Sequence, residues 1–478
     1  MSEPSITFPS PAPGRGIYCN RTLNLRSIKA IGYDMDYTLI HYRDDAWEQR
    51  AYEHLRRGLA ERGWPVADLT YDPGFIMRGL ILDAELGNVV KANRFGYIKQ
   101  AHHGTRPLSF DELRTTYSRT IVDLAEPRWY FLNTLFSLSE GFMFAQTVDM
   151  LDKGVLGDAI GYEDLLRIVR KTLDRAHTEG ALKADILAKP DDYIVHDPEA
   201  IEALLDQKHA GKKLLLITNS DWEYTRAIME AAYDPHLPKG MGWRDLFDLV
   251  IVSARKPSFF SDPNPAFEVV DEEGLLKPVV GKLKPGGIYL GGNARQVEAI
   301  WGFDGEEILY VGDHIFSDVR VSKDVLRWRT ALILRELEQE LVSLEGFRKQ
   351  QDRLTDLMAE KEELEYQSNR TRLALQRLKG GYLPAEGDVK TLQKDADRLR
   401  GEIAKIDDQI GVLAKASGEL MNPHWGLIMR AGNDKSHFTR QVENYADIYM
   451  SRVSNFLRLT PFAYLRSPRN LLPHDTAR

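Results

Sequence analysis

The stretch "IKAIGYDMDYTLIHY", residues 28–42, runs an apolar segment straight into two carboxylates. Lys29 to Tyr33 reads as a short buried strand. Asp34 and Asp36 follow where that strand ends. In an open α/β sheet, ligands bind outside the carboxyl ends of the strands. Two acids there repel each other, and burying them unpaired is costly. A divalent cation is the obvious compensation.

Three more apolar runs end in polar tails. "KKLLLI" leads to Thr218, Asn219 and Ser220; "LFDLVIVS" leads to Lys256; "EEILYV" leads to Gly312, Asp313 and Asp318. Helix-like segments such as "DWEYTRAIMEAAY" lie between them. Strands alternating with helices predict a doubly wound parallel α/β sheet. About 180 residues separate Asp36 from Thr218, far more than a loop holds. That interval predicts a large, mostly helical cap insertion, which would exclude water from a strand-end site.

Residues 334–420 have a different pattern. Val389, Leu392, Ala396, Leu399, Ile403, Ile406, Ile410 and Leu413 recur by threes and fours. Leu337, Leu341, Leu344, Leu354, Leu357, Leu364, Leu375 and Leu378 form a looser set, and "KGGYLPAEGD" breaks the two halves. This predicts a protruding antiparallel helical hairpin, self-packed like a coiled coil. The expected division is an N-terminal arm (1–27), a core (28–44 and 206–333), a cap (45–205), the hairpin (334–420) and a C-terminal helical segment packed on the core (421–478).

Bulk composition sets limits. The chain has 478 residues and a formal net charge of −8, which argues against binding a nucleic-acid polymer. Its one cysteine, Cys19, excludes an internal disulfide and fits a reducing compartment. The opening residues lack a signal-peptide core, and no apolar run reaches membrane-spanning length. A cytoplasmic protein with no membrane association is expected.

The four polar tails suggest phosphoryl chemistry. A carboxylate can attack phosphorus and form an aspartyl-phosphate. A second can protonate the leaving oxygen and then deprotonate water. Asp313 would complete an all-oxygen Mg²⁺ site with Asp34 and a backbone carbonyl. Thr218, Asn219 and Ser220 would hold phosphate oxygens, and Lys256 would add a point charge.

This order of motifs resembles the haloacid-dehalogenase-like phosphohydrolases. The resemblance implies Asp34 as nucleophile, Asp36 as general acid/base, and Thr218 and Lys256 as the second and third motifs. It implies Mg²⁺ held by Asp34, the Asp36 carbonyl and Asp313, with Asp318 orienting Lys256. "DMDYTL", "LNTLF", "TNSDWEYT", "ARKPSFF", "ILYVGDHIFSDV" and "YADIY…TPFAYL" are similar to a narrower group, the cytosolic purine 5′-nucleotidases acting on IMP and GMP. The likeness runs from about residue 20 to about 475. It implies a nucleotide-binding set of Asn133, Phe136, Arg170, Asp174, His177 and Lys183, the last on phosphate. It also implies a homo-oligomer, dimer or tetramer, and nucleoside phosphotransfer beside hydrolysis.

Arg170, Asp174 and His177 share one face of a helix. A 6-oxopurine offers an O6 acceptor beside an N1–H donor, matching Arg170 and Asp174. Adenine reverses both groups and would leave them unpaired. Phe136 and His177 would flank the base. Thr178 stands where the family often has tyrosine. Positions that bind activating nucleotides in vertebrate members hold Asp123, Asp324 and Asn444 here, although Phe316, Gln441 and Tyr445 match. That loss of positive charge disfavours an anionic activator. Two other readings stay open: a phosphatase for another small phosphoester, and a non-catalytic scaffold using the hairpin. The Gly-rich "YLGGNARQVEAIWG" reads as a helix start, and His102–His103 as solvated loop residues.

Overall fold

The computed structural model describes residues 13–156, 160–178 and 180–468, without the side chains of residues 13, 177 and 178. The apolar runs become neighbouring strands: β1 (Ala30–Tyr33), β2 (Lys213–Ile217), β3 (Leu249–Val252), β4 (Ile308–Gly312) and β5 (Arg329–Ile333). They stand in the order β5-β4-β1-β2-β3, all parallel, inside a ten-stranded sheet. Helices follow the strands, as in other doubly wound α/β folds. Burial on both faces explains why these strands read as unbroken apolar runs.

Register decides the rest. Tyr33 is level with Leu216 on one side and Val311 on the other. Asp34, Thr218 and Asp313 therefore leave the sheet from the same edge, within about two residues of one level.

The sheet gains antiparallel strands at its margins. Ile17–Cys19 pairs with Ile448–Met450, which itself runs parallel to β5. The C-terminal tail, expected to be helical, thus supplies helix His437–Tyr445 and then a strand. Three residues are too few for periodicity to reveal. Asp447 anchors this strand: it is buried, takes Arg329 at 2.8 Å and Lys323 at 2.5 Å, and accepts from the Thr330 N–H.

The insertion after β1 holds helices Asp44–Glu61, Leu138–Asp152, Tyr162–Thr178 and Ala181–Ala188. It also holds a five-stranded antiparallel sheet, with Asn88–Ala92 and Ile98–His103 near its centre, that the helical reading did not include. Asn88, Lys91 and His102 are buried in it, which breaks the alternation a strand normally shows. His102 and His103 therefore lie in a strand rather than a solvated loop. His102 stands edge-on to Phe75, and His103 bonds Asn88 and Asp152.

The chain separates into two compact units: residues up to Glu338 with those from Ile428, and Gln339–Leu427. The second unit is mostly two antiparallel helices, ending at Gly380 and starting again at Val389. They bury Leu354, Leu357, Leu375, Leu399 and Ile406. Leu344 and Val389 are exposed, so the seam is shorter than its sequence pattern.

Gly32 links the sheet to its catalytic edge. A Cβ there would lie 2.9 Å from Tyr310 Cδ2, and Phe260 and Trp328 pack against that ring. Gly32→Ala is expected to cost about 1–3 kcal/mol through overpacking, read as a lower urea midpoint. An unchanged midpoint would mean that Tyr310 yields freely.

Candidate active site

Lys256 is the centre of the strand-end cluster. Its Nζ lies 2.7 Å from Asp34 Oδ1, 2.8 Å from Asp318 Oδ1 and 3.1 Å from Tyr310 Oη. Asp34, Asp313 and Asp318 each present a carboxylate oxygen within 4.8 Å of the others, and all three are buried. Asp318 reaches this point from the turn Ile315–Arg320 after β4. A Cβ on Gly312 would lie 2.6 Å from Asp318 Oδ2, so "VGD" needs its glycine for the second acid to approach.

Burial pushes the Asp34 carboxyl well above the ordinary range; Lys256 opposes this, while Asp318 and Asp313 add to it. Asp313 is pushed up to about 7 by burial and then by Asp318, against Arg78 and Lys256. Burial works against the Lys256 ammonium, but Asp318 and Asp34 outweigh it and hold it charged. Three buried carboxylates facing one ammonium leave two negative charges uncompensated when all are ionised. A hard divalent cation with oxygen ligands fits that donor set and that charge.

The second-motif residues hold the loops together. Thr218 is fully buried and its hydroxyl accepts from Ser220 N–H at 3.0 Å. The Asn219 side chain brackets the Lys256 backbone, accepting from its N–H at 2.6 Å and donating to its carbonyl at 3.2 Å. The Ser220 hydroxyl donates to Asp36 Oδ2 at 2.8 Å, and Tyr42 Oη donates to Asp36 Oδ1 at 2.5 Å. Tyr37 and Arg255, close in sequence to Asp34 and Lys256, have φ of 54° and 60°. Such backbone is uncommon outside glycine and clusters at functional sites.

The insertion reaches the cluster through residues 133–136. Thr134 Oγ1 lies 3.3 Å from Asp313 Oδ2. Asn133 is buried with Oδ1 unpartnered. Phe136 packs edge-on to Tyr37 at 4.6 Å and Trp47 at 5.2 Å. Arg170 lies over the Tyr130 ring at 4.0 Å, with Nε 3.4 Å from Glu140 Oε1. Burial raises Glu140 to about 7, and Asp174 adds to the rise while Arg170 opposes it. Lys183 pairs with Asp221 at 2.9 Å, beside Tyr224. The His177 side chain lies outside the described residues.

Several contributors escaped the sequence reading: Tyr42, Tyr224, Thr134, Glu140, Tyr130 and Arg78. Arg78 is buried, pairs with Glu336 and donates to the Asp313 carbonyl at 3.3 Å. A buried arginine in "FIMRGLILD" is the one signal that an apolar context offered.

Comparison with known proteins decides the family. The model described as "5′ nucleotidase family" matches residues 17–477. The chain belongs to the 5′-nucleotidase family. A 5′-nucleotidase domain-containing protein from Dictyostelium discoideum is 28% identical over 96% of this chain and 74% of its own length. The rat 5′-nucleotidase domain-containing protein 2 is 29% identical over 96% and 80%, and the human protein of that name 28% over 92% and 81%. Among solved structures, an archaeal β-phosphoglucomutase from a Pyrococcus strain aligns at TM-score 0.31 with 11% identity, covering 64% of this chain and 87% of that one. So distant a match adds nothing to the topology itself. A chain of the 5′-nucleotidase family is a phosphoric monoester hydrolase. Among the described residues no helix is long and apolar enough to cross a membrane.

Besides Asp34, burial raises Asp44 to about 7, Glu48 to about 8, Glu140 to about 7 and Asp313 to about 7 in this 5′-nucleotidase-family chain. A carboxyl whose folded value exceeds its unfolded value favours the fold while protonated. Its penalty begins near the unfolded value of about 4 and is complete above the folded one. Metal-stripped protein should therefore melt at a lower temperature at pH 8 than at pH 6. Added Mg²⁺ should raise the melting temperature more at pH 8, where Asp313 is ionised. Equal gains at both pH values would contradict the assignment of Asp313.

Proposed function

We propose that this chain is a Mg²⁺-dependent 5′-nucleotidase that hydrolyses purine nucleoside 5′-monophosphates, IMP and GMP before AMP, through an aspartyl-phosphate. The observation that carries it is Lys256 bridging Asp34 and Asp318 beside the buried Asp313. With a divalent cation bound to offset its two excess negative charges, that cluster would suit a phosphate dianion. The names of the relatives point the same way.

Asp34, Asp313 and the Asp36 carbonyl would hold the cation, while Asp318 is engaged by Lys256. Bound there, Mg²⁺ would neutralise charge on the phosphate oxygens. Both close contacts of Asp34, from Lys256 and from the Met35 N–H, fall on Oδ1. The other oxygen attacks phosphorus as the P–O5′ bond breaks. The 5′-oxygen takes the proton of the Asp36 carboxyl. Water then attacks the phosphoryl group, passes a proton to Asp36 and releases Asp34 with inorganic phosphate. A second nucleoside in place of water would give phosphotransfer. Lys256, the Thr218 hydroxyl and the Asn219 N–H would hold the equatorial oxygens, since the Thr218 and Ser220 N–H groups are bonded within the fold.

Substrate choice is assigned to the insertion, which forms the cap over the core. Arg170 would donate to O6 and Asp174 accept from N1–H, with Phe136, His177 and Asn133 beside the base and Lys183 on the phosphate. Asp324 lies 3.5 Å from Arg320, whose guanidinium packs over Phe316 and Tyr445. That pairing weakens the cationic field an anionic activator needs, so ATP should leave the rate unchanged. We place the protein in the cytoplasm as a homodimer or homotetramer.

Asp34→Asn should lower turnover by at least about a thousandfold with unchanged circular dichroism. Phosphate release across IMP, GMP, AMP, dIMP and CMP, with and without Mg²⁺, tests the rest. Arg170→Ala should narrow the IMP-to-AMP preference by about tenfold or more. AMP turnover equal to IMP in the native chain would reject the Arg170–Asp174 pairing, and turnover confined to a sugar phosphate would move the substrate class.

A further inference from the structure

Asp36 is held by two hydroxyls, one on each carboxylate oxygen. Ser220 Oγ donates to Oδ2 at 2.8 Å and Tyr42 Oη to Oδ1 at 2.5 Å. Tyr42 Oη lies 2.9 Å from Tyr224 Oη; with its own hydrogen on Asp36, Tyr42 accepts from Tyr224. Both rings are buried, at 3% and 2% exposure. The Tyr42 ring is packed by Trp47 at 4.4 Å and Tyr37 at 5.2 Å, so its hydroxyl has one direction to point.

The position of Tyr42 matters as much as its contact. His41–Tyr42 pairs antiparallel with Ile194–Val195, and Arg43 N–H continues the ladder to the Tyr193 carbonyl at 2.7 Å. These two short strands are the places where the chain leaves the core for the insertion and returns. Tyr224 belongs to the core helix Trp222–Tyr233, and Lys183 of the insertion packs over its ring at 4.7 Å while pairing with Asp221, the N-cap of that helix. The outgoing connection of the insertion therefore meets the Asp36 carboxyl directly, and the returning one is paired to it.

We propose that Tyr42 is a positioning residue that aims the Asp36 carboxyl from the hinge strand of the insertion, so that the pose of the insertion sets the direction of proton transfer. A carboxyl fixed at both oxygens keeps both side-chain torsions; one held only by Ser220 swings about that bond. Misplacement by about 1 Å costs on the order of a hundredfold in a proton-transfer geometry. Tyr42→Phe removes one oxygen and preserves the ring packing, so the fold is expected to survive. This inference rests on reading Asp36 as the acid that protonates the leaving oxygen.

The test compares kcat/KM for IMP and for p-nitrophenyl phosphate. The nucleoside alkoxide needs a proton as it leaves, whereas p-nitrophenolate does not. Tyr42→Phe should lower kcat/KM for IMP by about tenfold to a hundredfold, leave KM for IMP within about twofold, and lower kcat/KM for p-nitrophenyl phosphate by less than about threefold. Tyr224→Phe, one bond further out, should show the same bias at smaller size. Asp36→Ala is the control for the underlying reading and should show the same bias at larger size. If Asp36→Ala is selective and Tyr42→Phe is not, or if Tyr42→Phe lowers both substrates equally, the positioning role is overturned while the acid/base reading stands. If Asp36→Ala itself hits both substrates equally, the acid/base reading falls and the positioning role with it.

Discussion

Charge in a dry place organises this molecule. Lys256 sits between Asp34 and Asp318 with a third carboxylate, Asp313, in the same buried cluster. No loop would gather these groups unaided, because each loses hydration and the acids repel one another. The parallel sheet supplies the force that holds them. Strand register fixes where each loop begins, and the apolar strands beneath cannot slip without turning their side chains out of the core. The cluster is a liability to the empty fold and an asset once a cation and a phosphate dianion enter.

Small residues and polar brackets make that convergence possible. Gly312 leaves room for Asp318, and Gly32 leaves room for Tyr310, whose hydroxyl braces Lys256. Asn219 ties the second-motif loop to the third through both backbone groups of Lys256. These residues convert a set of strand ends into fixed distances, which is what electrostatic catalysis requires.

Legibility in the sequence followed the range of the interaction. β1 to β4 and their polar tails are local patterns, so Asp34, Thr218, Lys256 and Asp313 stood out as strand-end groups. Ile448–Met450 is too short to carry a period, and its place beside β5 depends on Asp447 meeting Arg329 and Lys323 far back in the chain. The five-stranded sheet of the insertion was hidden because Asn88, Lys91 and His102 are buried for their hydrogen bonds and ring contacts rather than for apolarity. Tyr42 and Tyr224 look like ordinary core aromatics in one dimension. Only the fold brings their hydroxyls to Asp36.

The core alone cannot choose among phosphate esters. Its polar groups are spent on one another or aimed at charge: Thr218 on Ser220, Asn219 on Lys256, Ser220 on Asp36, Lys256 on two aspartates. The proposed discrimination among leaving groups therefore leans on the insertion, where polar capacity is also left over. Asn133 Oδ1 is buried without a hydrogen-bond partner. Orphan atoms of this kind cost stability in the empty protein. A ligand that completed such atoms would recover that cost.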